Sequence, residues 1–425
     1  MGIDGFHKWL NVEYGSIYYN IWKTKKVFHN VYIDLNYLLH LCHYNSNDEK
    51  HLINKMSQTI LELCGNICPL VSVNLFCDGT APFAKMVLQR ERRNKNVKMN
   101  DDVFKTSLNF TPGTKFIEEL PEKLEKCINI IKKYHNVEVN IDSVMPGEAE
   151  IKIKNKLIEN YKINKLHSNL LITNDADVVL ILAADESYVT THIMFNNTVI
   201  PIYALLKMHF EKYSFGEINN LDFVLLNLFL GNDYVPKIGF VSPYTLWDSY
   251  SMNIYKHKYL VRKNEGEHGD TYDLNKNCLI DIFNDCIGKI GIKKLIKNNK
   301  IYDSGVYMNY FDGILWTLKM YNRGECTNYD YICKTSHPID ILNLVIYLVN
   351  FDICTFKNTL SGPISSTLCG ILLLPENAQQ LIDIKYYKFI RSDILRQIYC
   401  DNFQISIDFI KMIQKEFDKY NSEFM

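Results

Sequence analysis

The stretch LLITNDAD, Leu170 to Asp177, is a short apolar run that passes directly into two acids. A run this short, apolar throughout and closed by polar residues, reads as a strand buried on both faces, as in a parallel sheet. The same pattern occurs earlier as VYID (Val31 to Asp34) and VSVNLFCD (Val71 to Asp78), and more weakly as VEVNI (Val137 to Ile141). Helical stretches separate these runs, at roughly Lys50 to Cys64, Phe83 to Lys98, Thr114 to Tyr134 and Gly147 to Tyr161. Strands alternating with helices predict an α/β fold with a mainly parallel central sheet flanked by helices.

Farther along, Leu221 to Leu230 is an apolar helix candidate that ends at GNDY. The segment Lys256 to Asp273 is charged and contains glycine, and reads as a polar linker or mobile loop. Beyond it the pattern is mostly helical. The predicted organisation is a core over 1–255, the linker over 256–273, and a helical C-terminal region over 274–425.

Composition bounds the function more loosely. Of 425 residues, 47% are hydrophobic, enough for a sizeable core, and no apolar run reaches the length of a membrane span. The 12 cysteines show no CxxC pair and no zinc spacing, so buried free thiols in a reducing compartment are expected. An intracellular, cytoplasmic protein fits this reading. Net charge is −1. A carboxylate cluster can cancel a basic patch, so the sum does not exclude a nucleic-acid partner.

The acids carry the chemistry. Ligands of open parallel sheets bind outside the carboxyl ends of the strands. Asp34 closes the first run, Asp78 the second, and Asp175 and Asp177 follow the fourth. Each alone is an ordinary turn former or helix cap. Three strand ends with the same feature point to one shared edge. PGEAE adds Glu148 and Glu150 at a helix start, where acids are also favoured by the helix dipole. Asp233 in GNDY is the seventh. Carboxylates crowded together raise one another's pKa values, and divalent metal relieves the repulsion. Mg²⁺, or Mn²⁺, takes oxygen ligands and few carboxylates per ion, so this set suits two ions. Two ions stabilise the attacking and leaving oxygens of an in-line phosphoryl displacement.

After Asp78, Lys85, Gln89, Arg92 and Arg93 fall at i, i+4, i+7 and i+8, on one helical face. Such a face can hold a terminal phosphate by forked hydrogen bonds, although a basic run alone is more often a solvated surface.

With these residues in view, the chain resembles the Xrn-type 5′→3′ exoribonucleases, relatives of the flap endonucleases. The matching stretches are MGIDGFHKWL, VYIDLNYLLH, LFCDGTAPFAKMVLQRERR, TPGTKFIEEL, MPGEAEIKI, LLITNDADVVLILA and FLGNDYVPKI, from Met1 to about Ile238, with a weaker echo over Asn309 to Asp340. The resemblance implies metal-coordinating roles for Asp34, Asp78, Glu148, Glu150, Asp175, Asp177 and Asp233. It implies a 5′-monophosphate pocket built from Lys85, Gln89, Arg92 and Arg93, and a stacking role for His40. It therefore implies single-stranded RNA with a 5′-monophosphate as substrate, and names decapping or transcription machinery as protein partners to look for. The shortness and the Asn, Lys and Tyr bias suggest a pared-down member from a large DNA virus, in a virus factory or virion.

One departure stands out. Where the family carries a second stacking Trp, this chain reads GECTNYDYICK, with Tyr329 and Tyr331 and no Trp. Two other readings use the same acids differently: a structure-specific DNA flap endonuclease, and a catalytically silent RNA-binding or scaffold protein. The KxxxQxxRR face and His40 speak against the first, and the full acid set against the second.

Overall fold

The computed structural model describes residues 3–24, 26–97, 106–214, 216–266, 270–296, 303–351, 360–400 and 403–424. Seven strands form the main sheet: β1 (Tyr19–Asn20), β2 (Asn30–Asp34), β3 (Ser72–Phe76), β4 (Glu138–Asp142), β5 (Asn169–Ile172), β6 (Thr191–Phe195) and β7 (Thr198–Pro201). Their order is β1-β7-β6-β5-β2-β3-β4. The five strands from β6 to β4 are parallel, and β7 and β1 add an antiparallel edge. The α/β prediction therefore holds, and all four apolar runs became parallel strands.

Alternation along the strands explains the two layers. Val31 and Ile33 of β2, with Leu170 and Ile172 of β5, pack into one apolar cluster. Tyr32, Leu171 and Ile193 point to the other face and join a larger cluster. A strand buried on both faces needs apolar residues at every position, which is why these runs read as continuous rather than alternating. The first face is covered by α2 (Leu35–His43) and α3 (Glu49–Ile67). The second is covered by the helices Ala149–Ile163, Val178–Ala183 and Ser304–Arg323.

Chain order reverses between β2 and β5: the chain leaves β2 toward β3 on one side, and β5 toward β6 on the other. A topological switch of this kind opens a crevice at the carboxyl ends of the two strands. Asp34 ends one of them, and Thr173 to Asp177 follow the other.

Two predictions are corrected. The segment Thr114 to Tyr134 is not one helix but three short ones, Lys115–Glu118, Leu120–Lys123 and Glu125–His135. The stretch 256–273, expected as a linker or mobile loop, contains an antiparallel hairpin of β8 (Val261–Asn264) and β9 (Thr271–Leu274). Its charges face outward while Leu260, Val261 and Tyr272 are buried. Buried Asp222 holds it in place by accepting the Val261 N–H at 3.0 Å. Because the larger cluster runs from Ile3 through these residues to Leu348, the core continues across the predicted linker.

Candidate active site

Each acid is delivered by local backbone chemistry. Asp34 is both the last residue of β2 and the N-cap of α2, accepting the N–H groups of Asn36 and Tyr37 at 2.9 and 3.2 Å. The capping role set beside the functional one is thus real, and the two coexist, because its second oxygen accepts the Thr173 hydroxyl at 3.0 Å. Asp78 is held by the Ala149 N–H at 2.9 Å and the Asn36 amide at 3.1 Å. Its neighbour Gly79 is required: a Cβ there would lie 1.9 Å from the Met145 carbonyl oxygen. That close approach, fixed by reciprocal bonds between Gly79, Thr80 and Gly147 at 2.8 Å, sets Asp78 against the start of the Ala149–Ile163 helix. Glu148 is the N-cap residue of that helix and Glu150 lies in its first turn.

Asp175 accepts the Asp177 N–H at 3.0 Å. Asp177 in turn accepts the backbone N–H of Ile3 at 2.9 Å, so the N-terminal segment is tied to the site. Asp233 sits in a turn closed by Asn232, whose side chain accepts the N–H groups of Tyr234 and Val235 at 2.8 and 2.9 Å. Gly231 opens that turn with φ of 88°, a left-handed conformation natural to glycine.

All seven acids converge. Asp34, Asp78, Glu148, Glu150, Asp175 and Asp233 line a cleft of about 440 Å³. Asp177 lies in a narrow pocket beside it, shared with Glu148, Glu150, Asp175 and Asp233. The helix α4 (Phe83–Val97) forms another wall, and places Lys85, Gln89, Arg92 and Arg93 in the same cleft, together with His40 of α2.

The electrostatics of the cleft are uneven. Burial and the neighbouring Asp78 push Asp34 up to about 7, against the pull of its hydrogen bonds. Burial and Asp175 push Asp177 up to about 7. Burial, with Glu148 and Asp78, holds Glu150 well above the usual carboxylate range. Asp233 departs in the other direction: burial acts upward, but Lys85 outweighs it and holds the carboxyl below its ordinary value.

Lys85 therefore differs from expectation. Predicted on the phosphate-binding face, its ammonium is ion-paired with Glu148 at 2.8 Å and Asp233 at 2.5 Å. Tyr234 donates a further hydrogen bond to Glu148. Burial beside excess negative charge explains this, since an unpaired buried carboxylate costs far more than a paired one. Among the described residues no group of three or more His, Cys, Asp or Glu side chains forms a ready-made metal cage. The donor set nevertheless fits hard divalent cations: seven carboxylates, several with raised pKa, against Lys85 and Arg92 paired with them.

Of the other residues on this face, Arg92 reaches Asp233 through Nη2 at 3.5 Å. Gln89 Oε1 and Arg92 Nε are buried without a hydrogen-bond partner. Buried polar atoms of this kind are uncommon and call for a partner. Arg93 donates through Nε to the Thr111 hydroxyl at 2.7 Å. His40 is exposed at the cleft mouth and meets Phe110 edge to face, with ring centroids 5.4 Å apart. Tyr331 is not available for stacking in the cleft: it is buried and stacked on Trp316 at 4.6 Å. Tyr329 is half-buried outside the cleft lining, its carbonyl accepting the Phe83 N–H at 2.8 Å. The aromatic residues that do line the cleft are Tyr37, His40 and Phe110. Sequence reading missed Asn36, Thr173 and Tyr234, which orient the acids. Asn36 and Thr173 lie within two residues of acids already singled out, which was the available signal.

The family described as XRN 5′-3′ exonuclease N-terminus matches residues 1–105 and 94–193. The chain is 28% identical over 273 residues to 5′-3′ exoribonuclease 1 of Saccharomyces cerevisiae, covering 55% of this chain and 17% of that protein. It is 26% identical over 300 residues to the Schizosaccharomyces pombe protein of the same name, covering 56% and 22%, and 23% identical over 299 residues to the human one, covering 56% and 17%. The chain thus spans about a fifth of the length of these curated relatives. Among solved structures, the catalytic core of Rad2 in complex with DNA substrate aligns at a TM-score of 0.42 and 14% identity, over 80% of this chain and 93% of that one. That likeness is too distant to carry any part of the argument.

Proposed function

We propose that this chain, whose residues 1–105 and 94–193 match the family described as XRN 5′-3′ exonuclease N-terminus, is a metal-dependent 5′→3′ exoribonuclease acting on single-stranded RNA that bears a 5′-monophosphate. The observation that carries this reading is the juxtaposition, in one cleft, of a carboxylate cluster with the basic face of α4. A hydrolytic centre and a phosphate-binding face that share one cleft act close to a strand end.

The residues divide by role. Asp34, Asp78, Glu148, Glu150, Asp175, Asp177 and Asp233 would hold Mg²⁺ or Mn²⁺, with two ions matching the size of the set. Divalent metal bound there supplies positive charge at the reacting phosphate and an activated water. Gln89, Arg92 and Arg93 hold the terminal phosphate by directed hydrogen bonds, and a compact pocket of this kind rejects caps and triphosphates by size. Tyr37, His40 and Phe110 offer aromatic faces to the first bases, a sequence-tolerant contact. Lys85 offsets the charge of Glu148 and Asp233 and holds the Asp233 carboxyl below its ordinary value, while burial leaves Glu148 above its own.

The test uses 3′-labelled single-stranded RNA with a 5′-monophosphate, triphosphate or hydroxyl, in Mg²⁺ or EDTA, beside a DNA flap. Rapid loss of the monophosphorylated RNA alone, in Mg²⁺ alone, supports the proposal. Cutting of the DNA flap near its junction while the RNA survives would replace it with a flap endonuclease.

A further inference from the structure

The helix α4 has a back as well as a cleft face. Arg90 lies between Gln89 and Arg92 in sequence, but it is 9% exposed and takes no part in the cleft lining. Its guanidinium donates to the carbonyl oxygens of Leu372 and Ile398. Leu372 is near the C-terminal end of the helix Ser366–Leu373, and Ile398 lies in the turn Gln397–Tyr399. Carbonyls at such ends lack intrahelical partners and favour a cation. One side chain thus satisfies two separate C-terminal elements.

A second route joins the same elements. Arg93 is held by Thr111. Thr111 is followed by Pro112 and Gly113, which meet the Ser366–Leu373 helix backbone to backbone. A Cβ on Gly113 would fall 2.0 Å from the Ser366 carbonyl oxygen, and one on Gly370 would fall 2.8 Å from that of Pro112. Apolar packing fills the space between: Phe83 and Met86 of α4 share a cluster with Leu368, Cys369 and Leu372.

We propose that Arg90 is a positioning residue for the phosphate-binding face, through which the helix Ser366–Leu373 and the turn Gln397–Tyr399 fix the aim of Gln89, Arg92 and Arg93. The C-terminal helices, which lie outside residues 1–193, thereby determine end selectivity although they contribute no residue to the cleft. The inference rests on the reading above that this face takes a 5′-phosphate.

The experiment measures affinity, by fluorescence anisotropy in EDTA, for one RNA carrying either a 5′-phosphate or a 5′-hydroxyl. The parent protein prefers the phosphate. Arg90→Met reduces that preference about tenfold, the loss expected when a hydrogen-bonded charge is removed, with affinity for the hydroxyl RNA unchanged. Arg90→Lys, which can reach one carbonyl, recovers part of it. Gly370→Ala, which displaces the same helix and leaves Arg90 intact, lowers the preference as well, and decides the matter if Arg90→Met does not fold. Folded variants with the parent's full preference overturn the inference. A parent with no preference overturns the phosphate reading itself, and the inference with it.

Discussion

Two pairs within the carboxylate cluster are held by different means. Asp34 and Asp78 are oriented by neutral donors: backbone N–H groups, the Asn36 amide and the Thr173 hydroxyl. Glu148 and Asp233 are both paired with the Lys85 ammonium, and Asp233 also with Arg92 at 3.5 Å. Neutral donors fix direction but leave the charge of a buried pair in place, so Asp34 is pushed up to about 7. A counter-ion removes that cost, so Asp233 lies below its ordinary value. Asp233 is thus charge-balanced from within, whereas Glu148, sharing the same lysine, stays above its ordinary value because burial outweighs the pairing. The helix carrying Lys85 does both tasks, since one and two turns farther on it presents Gln89 and Arg92 to the cleft.

The largest effect that could break this account is at Asp175 and Asp177. Asp175→Ala or Asp177→Ala is expected to lower Mg²⁺-dependent turnover of 5′-monophosphate RNA by roughly a thousandfold, the scale of losing one charge-stabilising element. Circular dichroism should show the fold unchanged. Full activity in either variant would mean that the acids following β5 are not part of the reacting centre.

A smaller effect sharpens the contrast between the pairs. Lys85→Met leaves Glu148 and Asp233 buried without the lysine they share, a change worth about 3 kcal/mol when one partner of a buried pair is removed. The metal-free melting temperature should drop, and Mg²⁺ should restore more of it than it adds to the parent. If the metal-free stability does not change, the ion pairs with Glu148 and Asp233 are not what balances that pair.

Much of the fold was legible, and the reason is physical. A parallel strand buried on both faces must be apolar throughout, so VYID, VSVNLFCD and LLIT announce themselves, and strand-end acids mark the functional edge. The seven acids needed no tertiary knowledge to be singled out. What stayed hidden depends on pairing across long distances in sequence. Lys85 sits on the predicted basic face, yet its partners Glu148 and Asp233 are 63 and 148 residues away, and only the folded chain brings them to it. The hairpin of β8 and β9 was hidden because its outward charges dominate the composition, while the buried residues that seat it are Leu260, Val261 and Tyr272. Tyr331, one of the two tyrosines in the stretch where the family carries a stacking Trp, cannot be told from a core residue until Trp316 is seen against it.

The most direct test of the central claim, that this cluster is a divalent-metal site, is the pH dependence of metal-induced stabilisation. Asp34 and Asp177 titrate at about 7 in the folded protein, against about 4 for an unfolded chain. Ionising them costs stability. The cost is absent below the unfolded value, grows as pH rises, and is complete above the folded value. Metal bound to the ionised groups cancels it and releases their protons. The melting temperature in Mg²⁺ minus that in EDTA is therefore predicted to be small near pH 5 and large near pH 7.5, with Asp34→Asn and Asp177→Asn flattening the rise. A difference near zero at both pH values would contradict the account.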